Sequence, residues 1–162
     1  KQGTFFVEGF AALLLKRILT PFATGFVDLQ SPAGVGIAGV IYDYDGNVYV
    51  SDEARMMARF KNYFFKIGNV NENTYQEMFN GELLHHIIAS ACNESLPMCA
   101  ECVFQPYCGA DPVRNMSEQG DMIGFRPTNE MCKKTKAIIH YLFELLHKHD
   151  PEINRIFWSW IN

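Results

Sequence analysis

The spacing of hydrophobic positions changes several times along the chain, and each change marks an element. Between residues 5 and 19, Phe6, Phe10, Leu13, Leu14 and Ile18 recur at helical intervals. Thr4 stands where an N-cap belongs, and Pro21 and Gly25 end the run. Residues 20 to 34 hold Pro21, Gly25, Ser31, Pro32 and Gly34 and read as a connector. Residues 36–42 and 47–50 are then rich in β-branched and aromatic side chains, with Asp45-Gly46-Asn47 between them. That pattern predicts a hairpin whose turn needs the positive φ that Gly46 adopts freely. Ser51 is placed to cap a short helix running to about Phe60, with Asp52 and Glu53 in its first turn. Residues 63–70 suggest a third short strand. Asn73 with Gln76 has the form of a capping box opening a helix from Thr74 to Phe79, and a further helix is expected from Glu82 to Ala91.

Residues 92–127 break this periodicity with prolines, glycines and cysteines, and read as a loop-rich segment of some 35 residues. A loop of that length in a compact domain calls for an organiser. Helical spacing returns over residues 129–149, where Cys132, Ile139, Leu142, Phe143 and Leu146 recur. Asp150-Pro151 is a cap followed by proline at the first helical position, opening the last helix. The fold class expected is therefore α+β: a small hairpin sheet, a cysteine-rich loop and C-terminal helices.

A chain of 162 residues with 48% hydrophobic and 20% charged side chains can bury a core without covalent staples. The formal charge of −4, with no run of Lys and Arg to track phosphates, argues against nucleic acid as a partner. The longest apolar run, residues 10–15, is far short of the about 20 residues needed to span a bilayer, so no membrane is expected. The first residue is Lys1 and no secretory signal is evident, which suggests a piece of a longer cytoplasmic protein.

Five cysteines, Cys92, Cys99, Cys102, Cys108 and Cys132, then change the picture. An odd number without a signal peptide disfavours a secreted disulfide framework, and clustering favours metal. Cys99 and Cys102 form a knuckle, Cys108 follows after five residues, and Cys132 sits at the start of a predicted helix, where free N–H groups favour a thiolate. Four thiolates spaced C-x2-C-x5-C-x23-C suit zinc or an iron–sulfur cluster. The split second pair leans towards iron–sulfur and leaves zinc open.

The hairpin "YDYDGNVYV", the segment "MCAECVFQPYCGADP" and a late cysteine before a helix together resemble the SPASM domain. This is the C-terminal auxiliary-cluster module of radical S-adenosylmethionine enzymes that modify peptides, and the resemblance runs from about residue 25 to about residue 145. Within that superfamily, "YDYDGNVYVSDEARMM", "FKIGNV" and "YCGADPV" are similar to the maturase of the His-Xaa-Ser repeat peptide system. The resemblance implies up to two 4Fe–4S clusters. The positions serving the second are filled by Cys99, Cys102, Cys108 and Cys132. Those serving the first are not: Ser51 stands five after Gly46, residues 31–35 hold no cysteine, and Pro112 stands four after Cys108. One retained 4Fe–4S cluster is implied, with zinc a substitute in an excised or air-exposed sample.

The C-x3-C-x2-C triplet of the radical catalyst is absent, six residues separating Cys92 from Cys99, so this chain holds no catalytic residues of its own. The expected partners are an N-terminal barrel of the same polypeptide, which would carry S-adenosylmethionine, and a peptide or protein substrate. Residues 1–24 would link to that barrel, 25–149 would form the auxiliary-cluster domain, and 150–162 a helical appendage. The rival reading is a structural zinc module organising a protein–protein surface; a third is an oxidised thiol pair.

Ordinary roles are expected elsewhere. Cys92 reads as a free thiol. His85 and His86 are adjacent on a helix and point apart. His140 reads as a core-edge residue, and His147 and His149 as partners of a helix C-terminus. Turn and capping roles explain Asp43, Asp45, Asp52, Glu53 and Asp111, and Trp158 and Trp160 either pack or mark an interface.

Overall fold

The computed structural model describes residues 5–161. It is α+β, with a three-stranded antiparallel sheet among helices. The chain divides into two compact units, residues 27–129 and the pair of segments 1–26 and 130–162.

The second of these is helical: α1 (Gly9–Leu19), α6 (Glu130–His147) and α7 (Pro151–Ile161) pack against one another. Leu14, Leu15, Ile139, Leu142 and Phe157 are buried in it. Phe10 meets Phe26 edge-on at 6.4 Å and carries the Lys134 ammonium over its ring at 5.0 Å. The α1 helix starts later than its hydrophobic spacing predicts. Glu8, rather than a threonine, caps it by accepting from the Phe10 and Ala11 N–H groups, and residues 5–8 are outside the helix. The expected cap, Thr4, lies outside the described residues. Asp150 caps α7 as expected, accepting from Glu152 N at 2.8 Å and Ile153 N at 3.3 Å.

In the sheet unit, β1 (Ile41–Tyr42), β2 (Asn47–Tyr49) and β3 (Lys66–Asn69) pair in that order. Gly46 closes the hairpin at φ 83°. The first strand is shorter than predicted because residues 34–39 turn: Ile37 N and Ala38 N both donate to Gly34 O. Ser51 caps α2 (Asp52–Arg59) by accepting from Ala54 N. The capping box of α3 (Tyr75–Phe79) is Thr74 with Glu77, one residue later than expected from Asn73 and Gln76. Asn73 instead accepts from Asn69 N. The helix α4 (Glu82–Ser90) lies where predicted. The segment 92–127 is not all loop, for it contains α5 (Pro112–Gln119). Asp111 caps α5, Pro112 opens it, and Gly120 ends it in the left-handed conformation. Val35, Tyr49, Val50, Ala54, Phe65, Leu84, Ile87 and Val113 form the core of this unit.

Candidate metal centre

The cysteine loop is a series of linked turns. Cys99 N donates to Leu96 O, Cys102 N to Cys99 O, Gln105 N to Cys102 O and Cys108 N to Gln105 O, at 2.9–3.2 Å. Each of these bonds spans three residues, so the three cysteines begin or end successive turns of one path. The first turn has Pro97 and then Met98 at φ 63°, a conformation in which glycine or asparagine is usual. Leu96, Asn93 and Ala110 are buried and anchor the loop, while Cys99, Cys102 and Cys108 are half-buried and in no disulfide.

Two contacts hold the Cys108 end. The Asn93 side chain is 2% exposed and donates from Nδ2 to Cys108 O at 2.9 Å. The Asn93 backbone N–H donates to the Ser31 hydroxyl, which donates in turn to Glu94. That bond, with help from Gln105, holds the Glu94 carboxyl below its usual range. Gly109 packs so tightly on residues 28–30 that a Cβ there would stand 1.7 Å from Asp28 O.

Cys132, the third residue of α6, belongs to the helical unit, whereas Cys99, Cys102 and Cys108 belong to the sheet unit. Cys92, just beyond α4, is also free. Among the described residues, no group of three or more His, Cys, Asp and Glu side chains is arranged to hold a metal ion. Within the sheet unit, Cys99, Cys102 and Cys108 are in no disulfide and lie on one anchored path, a donor chemistry that fits thiolate ligation.

The other titratable residues have local roles. His85 and His86 are exposed, the latter 3.8 Å from Glu82. His140 is exposed beside Glu144, not at a core edge, because it faces away from the stripe of Ile139 and Leu142. His147 lies in the last turn of α6, its ring 6.1 Å from that of His149. Asp43 and Asp45 order the hairpin turn through Tyr44 N and Asn47 N, and Asp43 also faces Arg55 at 3.8 Å and Arg59 at 3.6 Å. Trp160 packs beside Phe157, and Trp158 is exposed.

One feature of the sheet unit carries no sequence signal. Ser51 and Val35, from two of the three places that lack cysteine, line a single cavity of about 260 Å³ with Asp28 and Glu53. Burial, then the charges of Asp111 and Glu53, raise the Asp28 pKa above its usual value. Burial likewise raises that of Asp111, the residue before Pro112. Asp28 sits in a connector with no periodicity around it, and nothing in the sequence links it to residues 53 and 111.

No helix among the described residues is long and apolar enough to cross a membrane. No family model, curated protein or solved structure matches the chain.

Proposed function

We propose that this chain is the auxiliary-cluster part of a radical S-adenosylmethionine enzyme that modifies a ribosomal peptide. Cys99, Cys102, Cys108 and Cys132 would together bind one 4Fe–4S cluster. The observation that carries the reading is the path of linked turns that sets three cysteines, none in a disulfide, at successive turn ends, anchored by Asn93 and Gly109. A cluster bound through all four irons by protein supplies electron relay or structural order, without an open iron for substrate. The chain's own part is to present the thiols, through turns fixed at Leu96, Asn93 and Gly109, and to cover them by half. The grouping of Ser51 and Val35 at one cavity supports the view that the missing cysteines belonged to a single lost centre.

Anaerobic reconstitution tests this. Iron analysis should give about four irons per chain with a broad visible absorption band. Alanine at Cys99, Cys102, Cys108 or Cys132 should abolish both, and Cys92→Ala should leave both intact. Loss of iron on Cys92→Ala alone would refute the ligand set. One zinc and no colour in material purified without oxygen would favour the structural zinc module instead. A mass two units lower with no metal would mean a disulfide.

A further inference from the structure

The cavity beside Asp28 has a floor of buried Val35 and Val50, a wall from the edge strand β1 at Ile41, and an acidic rim of Asp28, Asp52 and Glu53. Among the described residues, no Lys, Arg or His lines it. The carboxylates differ in how far their charge is already answered. Asp52 is held by Arg55, at 2.7 Å and 3.1 Å. Glu53 lies in the first turn of α2, where the helix dipole favours a negative charge. Asp111, which does not line the cavity, accepts at Oδ1 from the Val113 and Arg114 N–H groups. Arg114 itself is engaged by Glu118 at 2.7 Å.

Asp28 is the exception. Its carboxylate has no hydrogen-bond donor and no cation within reach among the described residues, yet it is half-buried and faces the charges of Asp111 and Glu53. Burial first, and then the charges of Asp111 and Glu53, raise its pKa. The three acids do not converge as metal ligands do. The walls are instead aliphatic, which suits the methylene stem of an organic cation with its charged end at the acids. A volume of about 260 Å³ falls below the roughly 300–1,000 Å³ typical of sites for drug-sized ligands, and suits a single side chain.

We propose that this cavity binds an alkylammonium or guanidinium group, the end of a lysine or arginine side chain, with Asp28 as its main counter-charge. The proposal is independent of what the cysteines hold. Its test is an amide NMR titration of the whole chain with N-acetyl-lysine methylamide and N-acetyl-arginine methylamide, and with the neutral N-acetyl-norleucine methylamide for comparison. At least one cationic probe should produce saturable shifts confined to residues 27–29, 39–41 and 51–53. The neutral probe should bind about tenfold more weakly. Asp28→Asn should weaken the cationic probe by about fivefold or more, and Glu53→Gln by about twofold, in proteins whose spectra elsewhere match the parent. Asp121→Asn, a remote exposed acid that turns its own loop through Ile123 N, should change nothing. Equal binding of the neutral probe, unaltered binding to Asp28→Asn, or shifts scattered over all exposed acids would each overturn the proposal.

Discussion

Gly109→Ala isolates the contact that ties the cysteine loop to the connector. The glycine does not have a positive φ, so alanine is acceptable there on conformational grounds. The obstacle is steric. The added Cβ would meet Asp28 O at 1.7 Å, Asp28 C at 2.7 Å and Gln30 O at 3.0 Å, where ordinary contacts begin at 3.4 Å. All three atoms are backbone, so no rotamer change relieves the clash, and one segment must move by well over an ångström. On one side that displaces Cys108, whose carbonyl accepts from the buried Asn93 side chain. On the other it displaces Val27, whose carbonyl accepts from Gly34 N at 2.9 Å. Overpacking costs about 1–3 kcal/mol, and a buried hydrogen bond lost with it about 1 kcal/mol more. The expected loss is therefore about 3 kcal/mol, a large share of the roughly 5–15 kcal/mol that a domain has. Two other glycines calibrate the measurement. Gly39 has an ordinary φ and nothing within 4 Å of a Cβ, so Gly39→Ala should be neutral within about 0.5 kcal/mol. Gly120, at φ 73° in open space, should lose about 1 kcal/mol on conversion to alanine, from conformation alone. Urea unfolding followed by circular dichroism ranks the three. A Gly109→Ala protein as stable as Gly39→Ala would show that the approach of residues 28 and 109 is not close.

Two further predictions concern the same unit. Met98 is more than half exposed and held at φ 63°, so Met98→Gly should gain about 0.5–1 kcal/mol in urea unfolding; a loss would show that the Met98 side chain contributes more than its strain costs. Asp28 has a pKa raised by folding from 3.8, so the folded state binds more protons than the unfolded one. Its contribution is complete below about pH 3.8 and is lost as pH rises through the folded pKa. The stability of Asp28→Asn relative to the parent should accordingly increase across that window and level off above it, and a difference independent of pH would refute the shift.

Residues whose role is settled by their immediate neighbours were legible in the sequence. The Gly46 turn, the Ser51 cap and the Asp150-Pro151 start all depend on hydrogen bonds closed within a few residues, and all stand where the pattern put them. The cysteines were legible as a pattern, and the structure adds the path of turns on which three of them sit. The α5 helix was obscured by the prolines, glycines and cysteines around it, although Asp111-Pro112 and Gly120 mark its ends. The capping box slipped by one residue because Asn73 and Thr74 are both competent caps, and Asn69 N engages the first of them.

Sequence alone determined most of the local elements, because short-range periodicity and cap chemistry suffice for them, and it supplied the five cysteines. Tertiary structure decided that β1 shrinks to two residues as the preceding segment turns, and that Gly109 rests on the Asp28 backbone. It also brought Asp28, Glu53 and Asp111 from three distant segments into one acidic region. Burial and charge coupling at such a place depend on which segments meet in space, and no spacing along the chain encodes that meeting.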